Sequence, residues 1–134
     1  MAEIVNLLPY DLVLVSLDGL IWDDRVRIFY HPTNSARILD RVPASGNVAR
    51  AEISFVPVAD ELGWPSAYRD FGPTEGLPEI VDGNIYVASS MTIESMTHNG
   101  IYSSQFRIPG RIVKTRNEDG SCGYVIGCVE LAVY

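Results

Sequence analysis

A mostly β domain, β-rich α+β in class, is predicted for this chain: a compact antiparallel sheet or barrel-like body with one short helix around residues 90–98. Three observations predict it. Short apolar or alternating runs recur between clusters of Pro, Gly, Asn and Asp, the punctuation of strands and turns. Helix caps flank a single stretch. The composition, 47% hydrophobic and 20% charged over 134 residues, is that of one globular domain spanning residues 1–134.

The elements follow in order. Glu3 to Leu8 and Leu12 to Ser16 are apolar runs separated by Pro9, and Asp18-Gly19 supplies a turn. Arg25 to Tyr30 alternates, with Val26, Ile28 and Tyr30 on one face. His31 to Ser35 is a loop by composition, Ala36 to Val42 a strand, and Pro43-Ala44-Ser45-Gly46 a turn. Val48 to Val58 reads as a longer strand with Val48, Ile53, Val56 and Val58 in the core, and Pro57 places its far end at a sheet edge. Residues 59–83, with Trp64-Pro65, Gly72-Pro73, Leu77-Pro78 and several acids, read as one long connection. Asn84 to Ala88 is a buried central strand. Ser89 or Ser90 caps the helix, which ends at His98 before a left-handed Asn99-Gly100. Phe106 to Thr115 and Tyr124 to Val133 form a hairpin around Asn117-Glu118-Asp119-Gly120.

Charge and cysteine content narrow the function classes. A net charge of −7 argues against general nucleic-acid binding and against docking on anionic membranes. No run approaches the ~18 apolar residues of a membrane span. Met1-Ala2-Glu3-Ile4-Val5 lacks the basic start of a secretory signal, and two cysteines make no disulfide framework, so a cytoplasmic protein with free thiols is expected. Cys122 and Cys128 match no redox or zinc spacing, and Gly123 and Gly127 between them mark bulges or close backbone approach. Neither His31 nor His98 has metal-ligand partners at a recognised spacing, and no nucleophile elbow or metalloprotease motif occurs. Neither a cofactor nor a catalytic residue is expected.

Positive charge is concentrated instead. Arg107, Arg111, Lys114 and Arg116 are four of the ten cations, set in ten residues without an acid, which leaves six cations against 17 acids elsewhere. The arginine fork suits phosphate, and Phe106, Tyr102 and Tyr86 offer aromatic faces nearby in sequence for a base. The competing reading pairs these arginines with the acidic residues 60–82, within the chain or across an oligomer interface. Pro43-x-Ser45-Gly46-x-x-Ala49-Arg50 is either an oxyanion cradle with Arg50 reaching a phosphate, or a plain β-turn. The candidate ligand set is therefore Arg107, Arg111, Arg50, Phe106, Tyr102, Asn99, Lys114 and Arg116.

The blocks Ile4-Val5-Asn6-Leu7-Leu8-Pro9-Tyr10-Asp11, Pro43 to Arg50, Gly76-Leu77-Pro78, Ile85 to Ser89, Pro109-Gly110-Arg111 and Val125 to Cys128 keep their order along the chain. In these the sequence resembles a family of small phage and prophage proteins with an N-L-x-P opening and a P-x-S-G-x-x-A-R block. Tyr10 stands where that family usually has His, and residues 22–36 resemble an insertion. The chain is further similar to phage anti-Thoeris sponge proteins of the first type. That resemblance implies an oligomer that binds a cyclic ADP-ribose immune signal between subunits and withholds it without cleavage. Three readings stand: sequestration of a small anionic nucleotide by a homo-oligomer, a phage accessory or structural protein acting by protein–protein contact, and a nucleotide hydrolase.

Overall fold

The computed structural model describes residues 2–134, so Met1, which opens the stretch read for a secretory signal, lies outside the described residues. Apolar residues at two-residue spacing build two sheets, each strand placing alternate side chains on opposite faces. The smaller sheet joins β1 (Ile4–Asn6), β8 (Ile85–Val87), β9 (Phe106–Pro109) and β12 (Leu131–Val133) in that order. The larger runs β3 (Ile21–Asp23), β4 (Ile28–Tyr30), β10 (Ile112–Arg116), β11 (Cys122–Cys128), β2 (Leu12–Val15) and β5 (Ile38–Val42). A separate ribbon consists of β6 (Ile53–Glu61) and β7 (Trp64–Phe71), and the single helix α1 is Ser90–His98.

The chain is thus mostly β with one short helix, as its patterning predicts. The sheets are mixed rather than purely antiparallel: β1 with β8, β8 with β9, β10 with β4, and β11 with β2 all run parallel. Only β8 and β9 follow one another, joined through the helix; the other three pairs are far apart in the chain, so short-range turn signals carry no trace of them.

β8 sits between the two halves of the core. Tyr86 and Ala88 face a cluster with Leu7, Ile93, Met96 and Phe106, which lies under the helix. Val87 and Ile85 face the opposite way, against Leu8, Leu12 and Cys128 of the larger sheet. The far side of that larger sheet carries Val13, Val15, Phe29 and Val113, covered by Leu20, Trp22 and Ala36. The helix begins as predicted: the Ser89 side chain accepts from the Thr92 N–H at 3.1 Å, and Gly100 follows the last turn at φ +74°. No helix among the described residues is long and apolar enough to cross a membrane.

Four expectations change. Arg25 and Arg27 lie in the turn of a hairpin, Arg27 at φ +56°, so the fourth strand starts only at Ile28. The strand expected from Val48 starts at Ile53; Val48 is half-buried, Val58 is exposed, and Ala49 provides the buried contact instead. The long connection is largely the β6–β7 ribbon, with Pro57 opposite Ala67 and Pro65 inside β7. Both strands of a lone ribbon have free outer edges, which is where proline is tolerated.

The fourth change concerns Phe106 to Thr115 and Tyr124 to Val133, each of which is two strands in different sheets. The chain steps between sheets at Pro109-Gly110-Arg111 and again at Val129-Glu130. Backbone bonds from Gly110 to the Glu130 carbonyl (2.8 Å) and from Val129 to the Arg111 carbonyl (3.0 Å) join the two crossings. A Cβ on residue 110 would press into the Glu130 carboxylate, which explains glycine there.

Candidate functional site

The cations of residues 107–116 do not form one patch. Arg111 lies at the sheet crossing, where its Nε and backbone N–H both donate to Glu130, at 2.8 and 2.6 Å, and its Nη2 sits 2.7 Å from the same carboxylate. Burial pushes the Glu130 carboxyl up, and the Arg111 hydrogen bonds and charge outweigh it, so its pKa lies below the ordinary value. Arg116 donates to Asp23 at 2.8 Å and stacks its guanidinium 3.5 Å above the Tyr30 ring. Its backbone N–H and C=O both bond the Asn34 side chain, at 2.9 Å each, fastening β10 to the 21–35 hairpin and loop. The Arg116 bond holds the Asp23 carboxyl below its usual range, against an opposing desolvation. These are structural fasteners, and their acids are Asp23 and Glu130 rather than the residues 60–82 of the competing expectation.

The remaining members are dispersed. Arg50 is exposed, bonded through its backbone alone to Glu75. Lys114 has no ion-pair partner among the described residues. Asn99 ends the helix and donates to the Gly72 carbonyl at 2.8 Å, tying the helix to the foot of the ribbon. Phe106, 4% exposed, stacks on Tyr86 at 5.4 Å and so spends its ring in the core. In the Pro43–Arg50 block the N–H groups of Ala44, Ser45, Asn47, Ala49 and Arg50 are each bonded within the protein. The block carries a bend at Gly46 and no hydrogen-bonded turn, and an anion there would compete with five internal acceptors.

Tyr102 and Arg107 bracket one short segment. Residues 101–106 run between two shallow grooves of about 340 and 490 Å³, with the Tyr102 ring, 78% exposed, standing between them. The Arg107 guanidinium turns back to the Ser104 carbonyl at 2.6 Å and has no carboxylate partner among the described residues. The Gln105 amide fixes the segment from the other side, donating to the Val81 and Asn84 carbonyls. An exposed ring and, five residues on, a cation without an acid thus flank this segment, and Asp82 lines the second groove. Among the described residues, no group of three His, Cys, Asp or Glu side chains is placed to hold a metal ion.

A larger feature was missed by the sequence reading. Phe55 (68% exposed), Leu62 (fully exposed), Trp64 (76%) and Tyr68 (55%) all lie on the β6–β7 ribbon. Opposed residues of an antiparallel pair share a face. Val56 opposite Tyr68 and Val58 opposite Ser66 lie on one face, where strand alternation also places Trp64; Phe55 opposite Arg69 and Pro57 opposite Ala67 lie on the other. Both faces carry exposed apolar residues. The ribbon is held to the body at its foot by Arg69 on Glu94 (2.9 Å), by Phe71 against His98 and by the Asn99 amide on the Gly72 carbonyl (2.8 Å), while the Gly72 N–H on the Glu52 carbonyl closes the ribbon's own base. Its sequence signal was an alternation of Phe55, Pro57 and Ala59 with Val56 and Val58, masked by the two prolines. Compared with family models, curated proteins and solved structures, the chain matches none of them.

Proposed function

We propose that this chain is a binding protein that works by protein–protein contact, an accessory or structural protein of the phage type its sequence resembles. The observation that carries the reading is the ribbon, which presents three aromatic rings and Leu62 to water on a two-stranded element. A lone hairpin is marginally stable, and contiguous exposed apolar surface of this kind is the mark of an interaction site. Aromatic side chains are also the residues that concentrate binding energy when buried at an interface. A photoreactive phenylalanine analogue at position 64, compared with one at exposed position 118 between Asn117 and Asp119, tests the reading in cells. Position 64 should give discrete cross-linked species; equal, diffuse labelling from both positions would reject it.

A second reading, sequestration of a cyclic ADP-ribose signal or a related nucleotide, is favoured by Tyr102 and Arg107. An exposed ring and, five residues on, a cation without a carboxylate partner are the groups that stack a base and meet a phosphate. The acidic Asp82 at the same groove works against an anion. Calorimetry against cyclic ADP-ribose isomers should give heat that Tyr102→Ala and Arg107→Gln abolish, and the ligand should be recovered intact after heat denaturation. A hydrolysed product would favour an enzyme instead.

A further inference from the structure

We infer that the partner of the ribbon is a second copy of this chain, two copies exchanging β6–β7 ribbons about a two-fold axis. The inference rests on the contact reading above and names its partner. Three observations carry it.

The first is that apolar residues occupy both faces of the ribbon. A hairpin laid on one partner surface needs one apolar face. Two such faces need cover from two sides, which a reciprocal exchange supplies: one side from the partner's body, the other from the partner's ribbon.

The second is area. At the exposures of Phe55, Trp64 and Tyr68, about 400 Å² of aromatic surface stands in water, taking roughly 200 Å² per ring. A stable interface takes about 800 Å² from each partner. The three rings alone supply about half of that. In a two-fold exchange each copy both gives a ribbon and receives one, so the same feature is counted twice and the requirement is met.

The third is a seat with matching charge. A groove of about 400 Å³, lined by Tyr10, Leu12, Pro109, Ile112 and Val125, opens on the larger sheet with Arg41 and Asp11 also in its lining. The ribbon tip carries Leu62 and Trp64 beside Asp60 and Glu61. Arg41 already lies 3.5 Å from Asp11, and its guanidinium has five donors, enough for a second carboxylate. The tip of one copy thus places the indole of Trp64 in the groove of the other and its acids on Arg41.

Sedimentation velocity of the whole protein at 1–100 µM tests this. A dimer is expected that survives 0.5 M salt, because its core is apolar and each copy carries a net charge of −7 that salt screens. Trp64→Ser combined with Phe55→Thr should weaken it at least 100-fold while circular dichroism shows the fold intact. Arg41→Glu should weaken it about tenfold, and Asp60→Arg with Glu61→Arg should restore it on that background, which rescues the interface even if the double ribbon variant misfolds. Mixed heavy and light isotope copies carrying the photoreactive residue at 64 should cross-link between copies to residues 124–126. A monomer at 100 µM overturns the second-copy inference and leaves the contact reading to the cross-links with other proteins. A dimer indifferent to every ribbon substitution overturns the inference and removes the support for the contact reading as well.

Discussion

Replacing Asn6 by leucine should cost this protein a large share of its stability. Asn6 is 1% exposed, and its side chain makes three bonds to backbone groups. Its Nδ2 donates to the Tyr10 carbonyl at 2.9 Å and to the Val42 carbonyl at 3.1 Å, while its Oδ1 accepts the buried Leu8 N–H at 3.0 Å. One amide therefore holds the end of β1, the turn into β2 and the end of β5. Leucine has similar size and no polar atoms, so the change removes the bonds without opening a cavity. The orphaned Leu8 N–H costs about 1–3 kcal/mol, and the two carbonyls, nearer to water, about 1 kcal/mol each. The expected loss is about 3–5 kcal/mol, out of the roughly 5–15 kcal/mol typical of a domain. Urea unfolding followed by circular dichroism would show a midpoint about 2 M lower at a slope of about 2 kcal/mol/M. Asn6→Asp tests the donor half separately: it keeps the Leu8 acceptor and turns a carboxylate oxygen on two carbonyls, so it should be at least as damaging. A loss below about 1 kcal/mol for Asn6→Leu, or an Asp variant near wild type, would refute the bonding account.

Two further outcomes follow from the charges and thiols. Asp23 and Glu130 both have folded pKa values below their ordinary ones, so the stability they contribute is fully present above the ordinary carboxylate range and is lost as pH falls through it. Unfolding free energies measured from pH 7 down to pH 3 should decline more shallowly for Asp23→Asn than for the parent; an equal slope would remove Asp23–Arg116 as a contributor. Burial pushes the Cys128 thiol up, and its Sγ lies 3.7 Å from the Val13 carbonyl, whereas Cys122 is exposed. A chromogenic disulfide at pH 8 should therefore label one thiol rapidly and the second only on unfolding; two fast thiols, or a fast thiol persisting in Cys122→Ser, would contradict the placement.

Where local chemistry decides structure, the sequence was legible. The helix was marked by Ser89 at one end and Asn99-Gly100 at the other, and both work as expected. The central position of Ile85–Val87 followed from its unbroken apolar run, and the tight turn at Asn117–Gly120 from its glycine, here at φ +85°. Gly127 approaches the Val13 carbonyl closely enough to exclude a Cβ, one of the two roles its sequence position suggested. The strand breaks were not legible, because hydrophobicity runs on through Pro109 and Val129 while the break is held by Arg111 and Glu130, 19 residues apart.

The scatter of the basic cluster has the same cause. Neighbours in sequence were sent to different sheets, and Arg116 found its acid 93 residues away. Phe106 and Tyr102, four residues apart, have opposite fates because one points under the helix and the other stands on a loop. The ribbon was hidden by Pro57 and Pro65, which disqualify a central strand and are harmless in a pair with no further neighbours.

The parallel pairings also govern the order of events as the chain is made. β2 waits for β11, more than a hundred residues later, and β1 waits for β8, about eighty residues on. High separation between paired segments slows folding, since loop entropy is lost before the contacts repay it. The ribbon is the opposite case, two adjoining strands that can close within microseconds. A growing chain therefore displays its stickiest hairpin well before the body that carries it is complete. On a polysome, with sister chains emerging side by side, that lag gives neighbouring ribbons time to find one another, and it is also the interval in which misassembly would begin.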